Sequence, residues 1–335
     1  MEKFSSFSDK TTGISPFLPT PLHPTLKTYI FHTILIPIKL FTMIPVLLIS
    51  PLLTLFPNTY KIIIDVILAY FFNLSETEFA IDGVRRLDEK IKISKSPRNG
   101  DIIIVNSTGP LDIFVWKMLS ENPKNVKIGI ANGDGIGIIN NWISFVNWCF
   151  TGSLNLPNEA KKNIVHITDI DATSSNVDGV SDLKKFVGEN GILYVIVEGT
   201  ITNNKGILSF PRGFDVGAFA KMAISCNYGF KIMSLKVLPT GISNTVIPTN
   251  FWYWIFLNFG SMSMNLKYRI KMTVLFDKYT KNGSENVDPS MITDTLIRTI
   301  LANNSRLKLL SSEMDVKKKR EYIQAVLDSR EKKYV

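Results

Sequence analysis

The stretch "NSTGPLD", residues 106–112, stands directly after the apolar run "DIIIV" and before "IFVWKML". A strand that empties into a tight turn, with an acid opening a helix, presents a hydroxyl, Ser107, and a carboxylate, Asp112, with four residues between them. A reaction that moves a proton would want a histidine where Ser107 stands, because a free hydroxyl is a weak nucleophile until a neighbouring base takes its proton. Helix capping accounts for Asp112 equally well. Pro110 fits the first helical position, Gly109 the cap, and Asp112 the first turn, where a carboxylate satisfies exposed backbone N–H groups.

A second constellation follows. The buried run "ILYVIVEGT" ends in Glu198, Gly199 and Thr200; the turn-rich "ITNNKG" carries Lys205, and "ILSFPRGFDVGAFAKMA" sets Arg212 ahead of a helix. An acid and a hydroxyl at the carboxyl end of a strand, with cations beyond, sit where open α/β sheets place ligands and where helix starts attract anions. The segment "HITDID" gives His166 and Asp171 the same four-residue separation, but it falls at the end of a candidate strand and reads as a structural histidine. Three histidines and two cysteines are too few for a zinc site built mainly from those ligands, so no metal is expected. Cys149 and Cys226 are distant and in no CxxC pair, which suggests buried thiols in a reduced, cytosol-facing domain.

The elements that must position these groups alternate along the chain. Candidate strands are "DIIIVN", "NVKIGIA", "NIVHIT", "GILYVIV", "KIMSLKVL" and "IKMTVLF", and candidate helices cover residues 111–121, 136–150, 180–189, 214–225 and 289–302, the last capped by Asp288. Such alternation predicts an α/β fold, a largely parallel sheet flanked by helices.

The 38 basic residues exceed the 29 acidic ones, a formal charge of +9, which favours anionic partners. No zinc finger, basic zipper or RNA-binding aromatic signature is present, so nucleic acid is not the expected partner. Lipid fits better. Residues 29–56 carry one fully charged side chain, Lys39, and Pro37, Pro45 and Pro51 should break or kink a straight helix. With the shorter run at 60–74 they predict an N-terminal hydrophobic membrane hairpin dipping into one leaflet, the alternative being a buried core hairpin. The 28 residues before it are too long and mixed in charge for a cleavable signal. "NFWYWIFLNFGSM" at 250–262 suits a water–lipid boundary or an aromatic core cluster. The tail sets Val316, Ile323 and Leu327 on one face of a basic, amphipathic C-terminal helix, which fits an anionic surface or an ordinary solvated helix. The divisions expected are 1–28, the hairpin 29–74, an α/β domain 75–310 and the tail 311–335.

Taken together, these blocks resemble the PlsC-like 1-acylglycerol-3-phosphate acyltransferases. "IIIVNSTGPLDIFV" follows the frame of that family's strand, Asn-His, four residues and Asp; "VEGTI" and "FPRGF" match its Glu-Gly-Thr and Phe-Lys-Arg-Gly blocks, and "LKVLP" its apolar strand ending in proline. The two ends resemble a fungal, lipid-droplet branch of the family, also named for vacuolar protein sorting, in which the histidine is likewise missing. The resemblance implies transfer of an acyl chain from acyl-CoA, a co-substrate and not a bound cofactor, to lysophosphatidic acid, making phosphatidic acid. It places that work on the cytosolic face of the endoplasmic reticulum membrane and the lipid droplet. It implies that Asp112 orders the turn, Ser107 hydrogen-bonds the reacting groups, Glu198, Gly199 and Thr200 bound the acceptor pocket, and Arg212 and Lys205 meet the phosphate. The chain departs from the pattern at Ser107 for histidine, Val197 for proline and Ile201 for arginine. A non-catalytic lipid-binding scaffold of the same fold, or an acyltransferase for another lysophospholipid, are the alternatives.

Overall fold

The computed structural model describes residues 2–19, 26–53, 57–85, 87–167, 178–241, 244–259, 265–279 and 287–331. After a 3-10 turn at Glu2–Phe7, helices α1 (Leu26–Leu53) and α2 (Pro57–Phe72) lead into β1 (Leu74–Ile81), α3 (Glu89–Lys95), β2 (Asp101–Val105) and α4 (Asp112–Leu119). Then come β3 (Val126–Asn132), β4 (Gly135–Ile139), α5 (Trp142–Phe150), α6 (Asn158–Lys162), β5 (Ile164–Val165), α7 (Asp178–Val187), β6 (Ile192–Ile196) and β7 (Gly206–Ile207). The chain closes with α8 (Val216–Ser225), β8 (Gly229–Leu238), α9 (Phe251–Phe259), β9 (Leu266–Phe276), α10 (Asp294–Ser305), β10 (Lys308–Leu309) and α11 (Val316–Glu331).

Eight strands form one sheet in the order β1-β9-β8-β2-β6-β3-β4-β5. Its centre, β8-β2-β6-β3, is parallel, as is β1 with β9; the pairs β8 with β9, β3 with β4 and β4 with β5 are antiparallel. The expected sheet is therefore present, with antiparallel margins. β2 shows why the central strands read as unbroken apolar runs. Ile103 and Val105 enter a core layer with α2, α4, α5 and α9, whereas Ile102 and Ile104 enter the opposite layer with α7, α8 and α10. Side chains alternate across a strand, so one covered on both faces needs apolar residues at every position.

Several expectations need correction. The helix expected at 136–150 begins as strand β4, because "GIGII" is β-branched and glycine-spaced, and only Asn141, whose side chain accepts from Ile143 N–H, starts α5. "NIVHIT" contributes just the two-residue β5. Asp288 caps a 3-10 turn, Pro289–Met291, and α10 starts later under Thr293. β1 is absent from the expected strands, since four consecutive polar residues in "LSETEFAI" let it pass for a loop.

The apolar N-terminal runs form α1 and α2. α1 continues through Pro37, Pro45 and Pro51, none of which ends it. Each proline forfeits one backbone hydrogen bond, but α1 is held by packing on α2 and α9, and tertiary packing supplies most of a helix's stability. Lys39, the one charge of the run, is buried and donates to Phe259 O (2.9 Å) and Phe71 O (3.5 Å), carbonyls in the last turns of α9 and α2. Among the described residues no helix is long and apolar enough to cross a membrane, so the leaflet-dipping hairpin is left unconfirmed. In the aromatic segment the core-cluster reading has support. Trp254 is buried against Phe72 and Phe150, and Trp252 is exposed.

Candidate active site

Two turns leave the carboxyl ends of the neighbouring strands β2 and β6, paired at Val105 and Ile196. In the first, Asn106 extends the ladder with its side chain, donating to Leu235 O (2.9 Å) and accepting from Leu235 N–H (2.8 Å). The chain then folds around Asp112. Oδ2 accepts from Ser107 Oγ (3.0 Å), Thr108 N–H and Gly109 N–H (3.0 Å), and Oδ1 from Thr108 Oγ1 (2.9 Å) and Tyr268 OH (3.2 Å). Five donors on a carboxylate with about four lone-pair sites leave it no capacity for another partner. Burial pushes its pKa up, opposed by the bonds from Thr108, Gly109 and Ser107. Ser107 and Asp112 are both fully buried. α4 begins at Asp112 with Leu111 as the residue before it, so the capping by Gly109 and Pro110 expected from sequence is corrected to a carboxylate gathering the turn's donors.

At the end of β6, Glu198 lies beneath the surface. Its Oε1 accepts from Leu208 N–H (2.7 Å), and burial raises its pKa to about 8 against the pull of that bond and of Arg298 and Lys319. Thr200 Oγ1 is 2.8 Å from Ser153 Oγ, and between them arrives a group the sequence did not announce: Lys319 of α11. Its Nζ donates to Ser153 Oγ (2.8 Å), Thr200 Oγ1 (2.9 Å) and Ile201 O (2.8 Å), and burial lowers its pKa to about 7. Ser153 is presented by the turn after α5, where Gly152 (φ +76°) and Ser153 (φ +53°) are both left-handed. Cys149 lies close enough to feel both Asp112 and Lys319, so the two turns share one electrostatic neighbourhood.

Above Thr200 opens a cavity of about 210 Å³, walled by Gly199 and Arg212, by Trp148 and Ser153, and by Lys317 and Arg320 of α11. Gly199 (φ +62°) is required there: a Cβ would stand 2.5 Å from Ala131 O and 2.9 Å from Pro211 Cγ. Arg212 Nε is 3.5 Å from the buried Asp315, which also caps α11 by accepting from Lys318 N–H (2.9 Å).

Of the residues singled out from sequence, Gly199 and Arg212 line the cavity, and Thr200 lies one layer behind it. Glu198 is deeper, and Ser107 with Asp112 form a separate buried cluster. Lys205 is exposed on the loop before β7 and does not line the cavity. His166 is exposed, its Nδ1 3.1 Å from Asp134 O; Asp171 lies outside the described residues. Both cysteines are free thiols, Cys149 buried and Cys226 half-buried. Ser153, Tyr268, Lys317, Lys319 and Arg320 went unforeseen. A signal for Lys319 existed: Val316 and Ile323 mark an apolar face of α11, and the position completing it one turn on is a lysine.

Over 346 aligned residues the chain is 25% identical to the Saccharomyces cerevisiae protein named lysophosphatidic acid:oleoyl-CoA acyltransferase 1, and the alignment covers 99% of both chains. This similarity supports the acyltransferase relationship expected from the motif blocks and extends it to both ends. No family model matches the sequence. No solved structure matches it.

Proposed function

We propose that this chain is an acyltransferase that moves an acyl group from acyl-CoA to the free hydroxyl of lysophosphatidic acid. The observation that carries the reading is the cavity at the end of β6, where Arg212 and the glycine turn of the Glu-Gly-Thr block come together beside the Asp112 turn. The full-length similarity to a relative named for that activity supports it.

In this reading the lysolipid hydroxyl attacks the thioester carbonyl, an O–C bond forms, the C–S bond breaks, and CoA leaves as the thiol. Asp112 cannot be the proton acceptor while it takes five hydrogen bonds; it fixes the turn. The substrate's own phosphate, whose second pKa lies near 6, is the base at hand. Positioning can contribute as much to rate as general base catalysis, and a thioester is already activated. Attachment to lipid would run through the exposed apolar residues Leu26, Ile30, Ile34, Ile38 and Phe41 of α1 with Trp252 of α9, on the cytosolic face of the endoplasmic reticulum and lipid droplets.

The complete burial of Ser107 and Asp112 favours a second reading, a lipid-binding scaffold without turnover. Purified protein in detergent with labelled acyl-CoA and a panel of lysolipids decides between them. Label should enter phosphatidic acid, and Asp112→Asn should abolish it. No transfer to any lysolipid by folded, lipid-binding protein leaves the scaffold.

A further inference from the structure

Four consecutive basic residues, Lys317, Lys318, Lys319 and Arg320, open α11. Such a run is ordinarily a solvated face, but helical geometry sends its members three ways. Lys318 turns out to Glu321 (3.1 Å) and over the Phe7 ring. Lys319 goes inward, fully buried among Ser153, Thr200 and Ile201. Lys317 and Arg320, three apart and therefore on one side, face the cavity over Gly199.

There they join Arg212. Three cations stand against one carboxylate, Asp315, a balance of 3 − 1 = +2 on a small concave wall. The first turn of α11 lies in the same wall and adds the positive end of its dipole. Arg320 is steadied by donating from Nε to Leu154 O (2.9 Å). At about 210 Å³ the space is below the range that takes a drug-sized ligand and suits a head group. α11 itself is seated from behind, because Tyr322 and Ile323 pack with Phe17 and Leu208, and Asn203 donates to Ser15 O and Leu18 O of the N-terminal segment.

We propose that α11 completes a phosphomonoester-binding site in this cavity: Lys317 and Arg320 take the anion beside Arg212, and Lys319 is the positioning residue that holds that face of the helix against the Glu198–Ile201 turn. The proposal deepens the acyltransferase reading by naming the groups that would receive the acceptor's phosphate, and it rests on that reading for the substrate's identity. The donor, CoA, also carries a phosphomonoester, so the test must separate the two sources.

Full-length protein in detergent is titrated calorimetrically with glycerol 3-phosphate, glycerol, CoA and dephospho-CoA. Glycerol 3-phosphate should bind and glycerol should not. Lys317→Ala and Arg320→Ala, both at exposed positions, should each weaken glycerol 3-phosphate by about tenfold, the equivalent of 1.4 kcal/mol, with CoA affinity kept. Lys319→Met should weaken it comparably and raise KM for lysophosphatidate without changing kcat or KM for acyl-CoA, a split that mere loss of stability would not give. Where Lys319→Met fails to fold, the surface pair decides. Unchanged affinity for both glycerol 3-phosphate and CoA in the two surface variants overturns the proposal, and an effect confined to CoA and absent for dephospho-CoA overturns its assignment to the acceptor and gives the site to the donor's phosphomonoester. Binding that depends on α11 in a protein that transfers no acyl group keeps the site and removes the acyltransferase; transfer indifferent to Lys317 and Arg320 does the reverse.

Discussion

The two turns at the ends of β2 and β6 are neighbours built on opposite principles. The Asp112 turn closes on itself: its donors come from Ser107, Thr108 and Gly109, with Tyr268 added from β9, and both of its candidate reactive groups are buried. The turn after β6 is left incomplete by its own sequence. Its hydroxyl is met by Lys319, and its cavity is finished by Lys317 and Arg320, all from a helix more than a hundred positions downstream. A motif can thus hold its geometry while one half acts as scaffold and the other half is exposed to recognition.

The comparison is most severely tested at Asp112. Asp112→Ala would take the acceptor from the four buried donors of Ser107, Thr108 and Gly109, and an unsatisfied buried group costs about 1–3 kcal/mol, so the summed loss should be about 3 kcal/mol or more. Denaturant unfolding in detergent measures it. A loss below about 1 kcal/mol would show that the turn is not held by this carboxylate.

Gly199→Ala comes next. The left-handed backbone and the contact with Ala131 O predict a cost of about 1–3 kcal/mol and a misplaced Arg212, read as weaker glycerol 3-phosphate binding. Wild-type stability and binding in this variant would mean that the cavity wall yields freely.

The pH dependence of stability sharpens the contrast further. Burial lowers Lys319 from its ordinary 10.5 to about 7, so between those values the unfolded chain holds a proton that the folded chain has shed, and stability rises with pH. Glu198 does the opposite. It is raised from 4.5 to about 8, the folded chain holds the extra proton across that window, and stability falls as pH rises. The two effects oppose between pH 7 and 8, and Lys319→Met should flatten the rise above pH 8 in a series of unfolding midpoints. An unchanged alkaline limb would show that Lys319 is not buried as described.

The smallest effect belongs to Ser107. Ser107→Ala removes one of the five bonds to Asp112, worth about 0.5–1.5 kcal/mol or a few-fold in rate. A drop of a hundredfold would instead give the hydroxyl a direct part in the chemistry.

Much of this molecule was legible in its sequence, for a physical reason that also marks the limit. β2 and β6 declare themselves because strands covered on both faces must be apolar along nearly their whole length, β9 because Leu266, Tyr268, Ile270 and Met272 alternate with the basic Lys267, Arg269 and Lys271, and Asp112 because its donors are local. β4 was hidden because only Asn140 and Asn141 part "GIGII" from the apolar residues of α5, so the two read as one run. Lys319 was hidden in a basic run whose other members are exposed or half-buried, although the apolar stripe of Val316 and Ile323 had a place for it. Leu327, read onto that stripe, is exposed; Tyr322 and Val326 pack in its stead. Lys205 has the right charge near the right motif, but its loop carries it away from the cavity.

On the proposed reading the cavity at the end of β6 recognises a phosphorylated acceptor for acyl transfer. The most direct measurement compares kcat/KM of the parent and Arg212→Ala with lysophosphatidate and with monoacylglycerol, which lacks the phosphate. The parent should prefer lysophosphatidate by about tenfold or more, and Arg212→Ala should bring the two substrates together by raising KM for lysophosphatidate alone. Equal use of both acceptors by the parent, or transfer to neither, would contradict it.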